Sequence, residues 1–350
     1  MRRLHAVIPD SVHDPRRPSG GNRYDHRLAF ELTSLGWSVA EHLVPGGWPE
    51  PDAASRRALD DVTARLPDGD LTLVDGLLAS NTPETMVPLA HRLPLVVLVH
   101  LPLEGPRERA VLSAAAAVLT TSTWTRDRVI HVHQLDPHRV HVAEPGVDPS
   151  PLAPGTPAGG ELLCVAAVTP IKGHDLLVAA LAALPDLQWR CVCAGPLSPD
   201  PRFVERITAQ ARRAGIRDRV QLVGPLDRTA LNQAYAAADV LVHPSRVETY
   251  GMVVTEALGH GLPVIGTAVG GVPDTLGHGD ADNTGADRRP GLLLPPDDAA
   301  ALATALRAWL TDAALRERLR HRARQRRLTL HPWSRTAEQA SAVLVTLAPS

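Results

Sequence analysis

One stretch of the chain, residues 238–274, restricts the fold more than any other. It begins with a short β-branched apolar segment, Asp239–His243, that is stopped by Pro244, a pattern typical of a buried parallel strand. A loop, an apolar helical segment and a second β-branched segment follow. The stretch therefore predicts one βαβ unit, and the N-terminus of its helix presents backbone N–H groups that favour a phosphate.

Two glutamates have a regular spacing in this unit. Glu248 lies in the loop and Glu256 about one turn inside the helix, with seven residues between them. Taken alone, such a pair is usually found on the surface of an ordinary helix. Because a strand, a proline, glycines and a second strand accompany the pair here, we expect the carboxylates to flank a ligand. The residues around the helix start are Tyr250, Gly251, Met252 and Val253.

This pattern resembles the signature of retaining glycosyltransferase family four, the glycosyl transferases group 1. The Glu-x7-Glu element with its aromatic-Gly pair is followed by Gly261-Leu262-Pro263-Val264 and Gly270-Gly271-Val272-Pro273-Asp274, as in that family. The resemblance implies an α/β protein of the GT-B fold, with two Rossmann-like domains facing a cleft. It also implies a hexosyltransferase-type enzyme that moves a sugar from a nucleotide sugar to an acceptor with retention.

Length and composition set the remaining limits. At 350 residues the chain is long enough for two domains, and a net charge of −2 gives no general attraction to nucleic acid. The three cysteines lack a Cys-x-x-Cys spacing and are expected to be core thiols. The first apolar segment is too short for a signal peptide and no apolar segment reaches the length of a membrane span, so we expect a cytoplasmic protein.

Alternating strand and helix patterns along the chain indicate two parallel sheets. We expect residues 1–149 to form the acceptor-side domain, and a helix at 332–350 to pack back on it. The Pro- and Gly-rich residues 150–160 are expected to be a linker, and residues 161–331 the domain that binds the nucleotide sugar. The polar, Gly-rich segment 277–289 is expected to be an insertion at the rim of the cleft.

Three residues stand out in the first domain. Gly20 and Gly21 close the loop after the first strand, where a plain turn would be the usual interpretation. His100 lies at the carboxyl end of a strand, where ligands of parallel sheets bind, although a single histidine is more often structural. The resemblance implies that the two glycines face the donor phosphates and the acceptor, and that His100 lies beside the transferred sugar.

In the second domain a lysine followed by a glycine lies at a strand-to-helix turn, where Lys172 can direct its ammonium at a diphosphate. The resemblance assigns Lys172 to the donor diphosphate, the backbone at Leu226 to the base, Glu248 to the sugar hydroxyls and Glu256 to the ribose. The family carries an arginine five residues before this lysine, and Ala167 stands there instead. His100, Glu248 and Lys172 are the predicted catalytic residues.

A helix at 316–327 carries seven arginines and one acid. It is either a solvated face or a surface for an anionic membrane or an acidic partner, and the second alternative would place the protein at the inner face of the membrane. Base, sugar, acceptor and oligomeric state are left open by the sequence.

The predicted phosphate contacts are a lysine, glycine amides and a helix start, which neutralise a diphosphate directly, so no metal and no cofactor are expected. Two alternatives to the transferase remain. One is a nucleotide-sugar epimerase of the GT-B type, against which the Glu-x7-Glu spacing argues. The other is a catalytically weakened protein that binds nucleotide sugars, which Ala167 supports.

Overall fold

The computed structural model describes residues 2–14, 18–277 and 288–348, so that most of the expected insertion at 277–289 lies outside the described residues. The chain divides into two compact units. The described parts of the first are residues 2–14, 18–146 and 331–348, and those of the second are residues 147–277 and 288–330.

The first unit alternates strands and helices. Its strands are β1 (Arg2–Pro9), β2 (Trp37–Val44), β3 (Thr72–Asp75), β4 (Leu95–Val99), β5 (Ala117–Thr120) and β6 (Val140–Val142). Its helices are α1 (Gly20–Ser34), α2 (Ala53–Ala64), α3 (Gly76–Ala79), α4 (Pro83–Arg92), α5 (Pro106–Ala114), α6 (Thr123–His133) and α14 (Trp333–Leu347). The segments 10–13 and 137–139 are short 3-10 turns.

The six strands of the first unit form one parallel sheet in the order β2-β1-β3-β4-β5-β6. The strand order reverses between β1 and β3, and ligands of open α/β sheets bind beyond the carboxyl ends of the strands at such a point. In the β3–β4 pair Asp75 is aligned with Leu98, which places His100 just past the same edge of the sheet.

The C-terminal helix α14 packs against α1. Trp333 at its start meets the ring of Tyr24 edge to face, with ring centroids 5.7 Å apart. Trp37 donates from Nε1 to Ser341 Oγ at 2.9 Å, and Thr336 donates to the carbonyl oxygen of Glu144 at 2.7 Å. These buried aromatic and polar contacts make α14 an integral part of the first unit.

The second unit repeats the alternation. Its strands are β7 (Glu161–Val165), β8 (Arg190–Ala194), β9 (Val220–Gly224), β10 (Val240–His243), β11 (Val264–Thr267) and β12 (Gly291–Leu294). Its helices are α7 (His174–Ala182), α8 (Pro201–Arg213), α9 (Arg228–Ala237), α10 (Met252–Gly259), α11 (Val272–Leu276), α12 (Ala299–Thr311) and α13 (Ala313–Arg327), and residues 170–172 form a 3-10 turn.

The second sheet is also parallel, with the order β12-β11-β10-β7-β8-β9, which is the doubly wound Rossmann order. Its strand order reverses between β7 and β10. Its core contains the three cysteines, Cys164, Cys191 and Cys193, all buried as predicted for core thiols. The prediction of two Rossmann-like α/β sheets is confirmed.

The arginines of α13 have a structural role that the sequence did not predict. Arg316 and Arg320 donate to the carbonyl oxygens of Pro157 and Thr156, at 3.3 and 2.8 Å. Arg320 also donates to the buried carboxylate of Asp239 at 2.7 Å. These contacts hold the Pro-rich segment, expected to be a linker, against the second unit. Among the described residues, none of the helices has the length and apolar character needed to cross a bilayer.

Candidate functional site

The predicted site residues form two groups, one in each unit. In the first unit Gly21 lies in the first turn of α1, where a Cβ atom would come 3.3 Å from Cδ2 of His100. The absence of a side chain at Gly21 therefore lets the helix start approach the imidazole ring closely. Gly20, the first residue of α1, is exposed. The helix begins at Gly20 because Ser19 caps it by accepting from the N–H of Asn22.

Two carboxylates that the sequence did not reveal surround His100. Its Nε2 lies 2.8 Å from Oδ1 of Asp25 and 4.0 Å from Oδ2 of Asp75. Both carboxylates are 2% exposed, and His100 is 13% exposed. The ring of Tyr24 meets the imidazole edge to face at 5.2 Å. The cluster of Asp25, Asp75 and His100 is named the carboxylate–histidine cluster below.

The carboxylates change the charge state of His100. Burial alone would lower the pKa of His100, but the charge and hydrogen bond of Asp25 and the charge of Asp75 raise this pKa to about 9. Burial, together with the neighbouring charge of Asp25, raises the pKa of Asp75 well above its usual value. The imidazole is thus positively charged at neutral pH.

In the second unit Lys172 and Glu248 meet where the strand order reverses. Lys172 Nζ donates to Oε2 of Glu248 at 2.7 Å, and Nε2 of His243, the last residue of β10, lies 3.6 Å from the same oxygen. Although burial raises the pKa of Glu248, the Lys172 ammonium and hydrogen bonds hold that pKa below its usual value. Burial lowers the pKa of His243 to about 4 against the charge of Glu248.

The turn that carries Lys172 is fixed by its neighbours. Gly173 has φ of +70°, and a Cβ atom there would lie 2.0 Å from the carbonyl oxygen of Pro244, so only glycine fits. Arg246 donates through both terminal nitrogens to the Asp175 carboxylate at 2.8 Å. Its guanidinium and backbone N–H also donate to the carbonyl oxygens of residues 170 and 171. The loop after β10 thus holds the 3-10 turn before α7.

The second glutamate of the pair has other partners. Glu256 Oε2 accepts from the hydroxyl of Tyr235 at 2.8 Å, and Arg228 Nη1 lies 3.7 Å from Oε1. The two glutamates therefore have different partners: Lys172 lies beside Glu248 and Arg228 lies beside Glu256. The residues between them lead into α10: Tyr250 is buried, Gly251 precedes the helix, and Met252 and Val253 form its first turn. Leu226 lies partly buried in the loop between β9 and α9.

Ala167 lies after β7, and its carbonyl oxygen accepts from the N–H of Thr169 at 2.9 Å. Its methyl side chain supplies no cation.

Within the described residues, two groups of three side chains bring potential metal ligand atoms within 4.8 Å of one another. One is the carboxylate–histidine cluster, and the other is Cys164 with His174 and Cys193. The sequence contains two Asp-x-Asp triplets, a pattern that can also hold a metal ion. Asp68-Gly69-Asp70 lies before β3, where Asp68 contacts Arg92 and Asp70 contacts His5. Asp280-Ala281-Asp282 lies outside the described residues.

Residues 158–326 match the family described as glycosyl transferases group 1. A D-inositol 3-phosphate glycosyltransferase of Kineococcus radiotolerans is 34% identical over 250 residues, which are 66% of this chain and 57% of that protein. The enzyme of the same name from Jonesia denitrificans is 30% identical over 289 residues, 73% of this chain and 66% of that protein. The chain belongs to the glycosyl transferases group 1 family. The match spans between about half and two thirds of the length of these curated relatives.

Solved structures with low sequence identity share the fold of this glycosyl transferases group 1 chain. Sucrose-phosphate synthase from Thermosynechococcus elongatus has a TM-score of 0.80 at 22% identity and covers 99% of both chains. HepE from Anabaena, solved in complex with UDP-glucose, has a TM-score of 0.76 at 18% identity and covers 99% of this chain and 100% of its own. The GT-B prediction from the sequence is therefore confirmed at the level of fold.

Proposed function

We propose that the protein is a glycosyltransferase that moves a sugar from a nucleoside-diphosphate sugar to a hydroxyl group of a small acceptor, with retention and without a metal ion. The observation that carries the proposal is the Lys172–Glu248 pair at the point of the second sheet where the strand order reverses. In a member of this family, the pair places an ammonium and a carboxylate at the edge of the sheet where ligands bind.

The pair suits both ends of a nucleotide sugar. A diphosphate attracts the Lys172 ammonium, and the Glu248 carboxylate accepts hydrogen bonds from sugar hydroxyls. The N–H groups of the first turn of α10, at Met252 and Val253, have no acceptor within the helix and favour an anion. When the bond from the sugar to the diphosphate breaks, the charge that develops on the leaving oxygen is stabilised by groups already in place.

The likeness to named proteins narrows the first substrates to test. HepE was solved with UDP and with UDP-glucose, and the curated relatives are named for D-inositol 3-phosphate. We therefore propose a UDP- or GDP-hexose as donor and a phosphorylated cyclic polyol as the first acceptor class. In the first unit His100 contacts an oxygen of a bound substrate.

The test is the release of free nucleotide from a panel of UDP-, GDP- and ADP-sugars, with and without inositol phosphates as acceptors. Acceptor-dependent release, lost in Glu248→Gln, supports the transferase. NMR of the product reports the anomeric configuration, and an inverted product would refute retention. Turnover that survives EDTA supports the metal-free reaction, whereas loss with EDTA and recovery with magnesium contradicts it. A donor isomerised in the absence of acceptor indicates an epimerase.

A second candidate is a protein that binds nucleotide sugars with little turnover. The observation in its favour is Ala167, because it leaves Lys172 without the second cation that the family carries. Calorimetry separates the two candidates: tight binding of a nucleotide sugar with no nucleotide release in any acceptor mixture would favour the binding protein.

A further inference from the structure

The hydrogen bonds of the carboxylate–histidine cluster leave one buried oxygen unsatisfied. Asp25 Oδ1 is within 2.8 Å of His100 Nε2, and Asp75 Oδ1 accepts from the N–H of Leu77 at 2.6 Å. Oδ2 of Asp25 is buried and has no hydrogen-bond partner among the described residues. A buried carboxylate oxygen without a donor is costly, and the carboxyl group of Asp75 is the neighbour that can supply one.

A single proton on Asp75 resolves this arrangement. Two ionised carboxylates this close and this deeply buried repel each other, so that one of them retains a proton. If Asp75 holds it, its O–H donates to Oδ2 of Asp25, and the pair carries one negative charge. The imidazolium of His100 supplies one positive charge. The buried cluster is then neutral, and Oδ2 of Asp25 has a hydrogen-bond donor.

The groups that face the imidazole ring come from two elements. Asp25 and Tyr24 come from α1, and Asp75 from the end of β3. The Tyr24 hydroxyl points elsewhere, since it donates to the carbonyl oxygen of Ala143 at 2.7 Å. Asp25 and Asp75 are the titratable groups that act on the ring. Within the described chain, no group hydrogen-bonds to Nδ1 of His100, and 13% of the side chain is exposed.

We propose that Asp25 and Asp75 share one negative charge that keeps His100 protonated, so that its Nδ1–H is a fixed hydrogen-bond donor to an oxygen of the substrate. This inference rests on the proposed function and deepens it. His100 is the residue that touches substrate, whereas Asp25 and Asp75 are positioning residues that act through it. The imidazolium donates a hydrogen bond and adds a positive charge beside the bound oxygen, and it does not act as a base.

The sharing of one charge makes a specific prediction about amide substitutions. In Asp25→Asn the repulsion on Asp75 disappears, so Asp75 ionises and takes over the charge, from 4.0 Å instead of 2.8 Å. In Asp75→Asn the amide replaces a neutral carboxyl group and can still donate to Asp25. Only the double variant leaves no negative charge, and the uncharged imidazole then remains in an uncharged surrounding, so the fold should tolerate it.

The first measurement is the charge state of His100 by NMR of protein labelled with 15N-histidine, with His100→Gln to assign the signals. We expect both ring nitrogens to be protonated at pH 7 in the wild type and the titration midpoint to lie near 9. The midpoint should fall slightly in each single variant and to below 6.5 in the double variant. A neutral His100 in the wild-type protein at pH 7 would overturn the proposal, whatever the activity shows.

The second measurement is the transfer rate at pH 8 in a double-mutant cycle. We expect a loss of about tenfold in Asp25→Asn, about threefold in Asp75→Asn and well over a hundredfold in the double variant, far more than the product of the single losses. Lowering the pH towards 5 should partly restore the double variant, because the imidazole regains its proton. A purely structural role would give additive losses and no recovery at low pH.

Asp70→Asn is the matched control, because Asp70 also lies 3.0 Å from a buried histidine, His5, in the same unit but at the opposite edge of the sheet. Its activity should equal that of the wild type. Additive losses in the cycle, or loss of wild-type turnover with EDTA through metal binding at the cluster, would contradict the proposal. Failure of the wild type to transfer any sugar would contradict the proposed function. The NMR titration would then show by itself whether Asp25 and Asp75 keep His100 protonated.

Discussion

Two histidines lie at the carboxyl ends of parallel strands, one in each unit, and one ring is positively charged at neutral pH while the other is uncharged. His100 follows β4 and His243 ends β10, and their side chains are 13% and 3% exposed. Each has a carboxylate nearby. Yet the pKa of His100 is raised to about 9, whereas the pKa of His243 is lowered to about 4.

The difference lies in the net charge around each ring. Glu248, the carboxylate beside His243, is already paired with the Lys172 ammonium, so burial dominates and keeps the imidazole neutral. Among the described residues, no lysine or arginine pairs with Asp25 or Asp75, and His100 is their cation. The first unit thus presents a cationic donor from a buried cluster. In the second unit the cation is the lysine itself, which donates to Glu248.

The largest expected effect concerns the carboxylate of the second unit. Glu248→Gln should lower the transfer rate about a hundredfold, a loss on the order of 3 kcal/mol, because it removes a charged contact to the sugar without changing the core volume. Steady-state rates with circular dichroism as the check on folding measure this effect. Full activity with the native donor would show that Glu248 does not contact the sugar and that the spacing of the two glutamates has no catalytic meaning.

The two histidines should also give stability profiles of opposite slope. The raised pKa of His100 stabilises the fold fully below about pH 6.5, and this contribution is lost as the pH rises through about 9. The lowered pKa of His243 stabilises the fold above about pH 6.5, and this contribution is lost as the pH falls towards about 4. Each amounts to something on the order of 3 kcal/mol in the free energy of unfolding.

Denaturant unfolding between pH 5 and pH 10 measures both slopes. His100→Gln should flatten the alkaline side of the profile, and His243→Gln should flatten the acid side, each leaving the other side as it is in the wild type. If the two substitutions changed the same side, the contrast between the two rings would be wrong.

The sequence revealed one of these two regions far better than the other. Glu248 and the helix start at Gly251 belong to one contiguous motif, and Lys172 belongs to one turn. The resemblance to the family therefore pointed to these residues. Asp25 and Asp75 carry no such spacing. They meet His100 only because three separate segments end at the same edge of the first sheet, and that convergence is a property of the strand order.

The alternation of strands and helices gave both sheets, because buried parallel strands are continuous apolar segments that are easy to recognise. The role of Arg316 and Arg320 was beyond local patterns. A helix with seven arginines looks solvated in sequence, whereas here two of them bind backbone carbonyl oxygens of a Pro-rich segment more than 150 positions earlier. The predicted contacts of Gly20, Leu226 and Glu256 with a donor stay predictions.

Removing Lys172 should raise the pKa of His243 towards that of His100. In Lys172→Ala the Glu248 carboxylate loses its cation, so the pKa of His243 should rise from about 4. Binding of UDP or GDP should weaken by about thirtyfold, or roughly 2 kcal/mol, the typical contribution of a charged hydrogen bond. NMR titration and calorimetry measure the two effects. An unchanged His243 pKa would mean that burial alone, and not the paired lysine, keeps the ring neutral.

Restoring the second cation is the reverse experiment. Ala167→Arg should tighten nucleoside-diphosphate binding by about fivefold, or roughly 1 kcal/mol, because a guanidinium matches phosphate oxygens and the position follows the end of β7. Calorimetry at two salt concentrations measures the gain, which should shrink at high salt. Lys172→Ala with Ala167→Arg is the control, since the new arginine should recover part of the lost affinity there too. Weaker binding in Ala167→Arg would show that this pocket satisfies the phosphates by another route.

The smallest expected effect tests how closely the first unit holds its charged ring. In Gly21→Ala the new Cβ lies 3.3 Å from His100 Cδ2, so the ring must shift by a few tenths of an ångström. The transfer rate should fall about threefold, while the free energy of unfolding should stay level or rise by up to about 1 kcal/mol, because alanine favours the helix over glycine. Gly20→Ala, one residue earlier at an exposed position, is the matched control and should raise stability without moving His100. If Gly21→Ala left both the rate and the His100 titration midpoint unchanged, the close approach of α1 to the ring would have no part in setting its charge or its position.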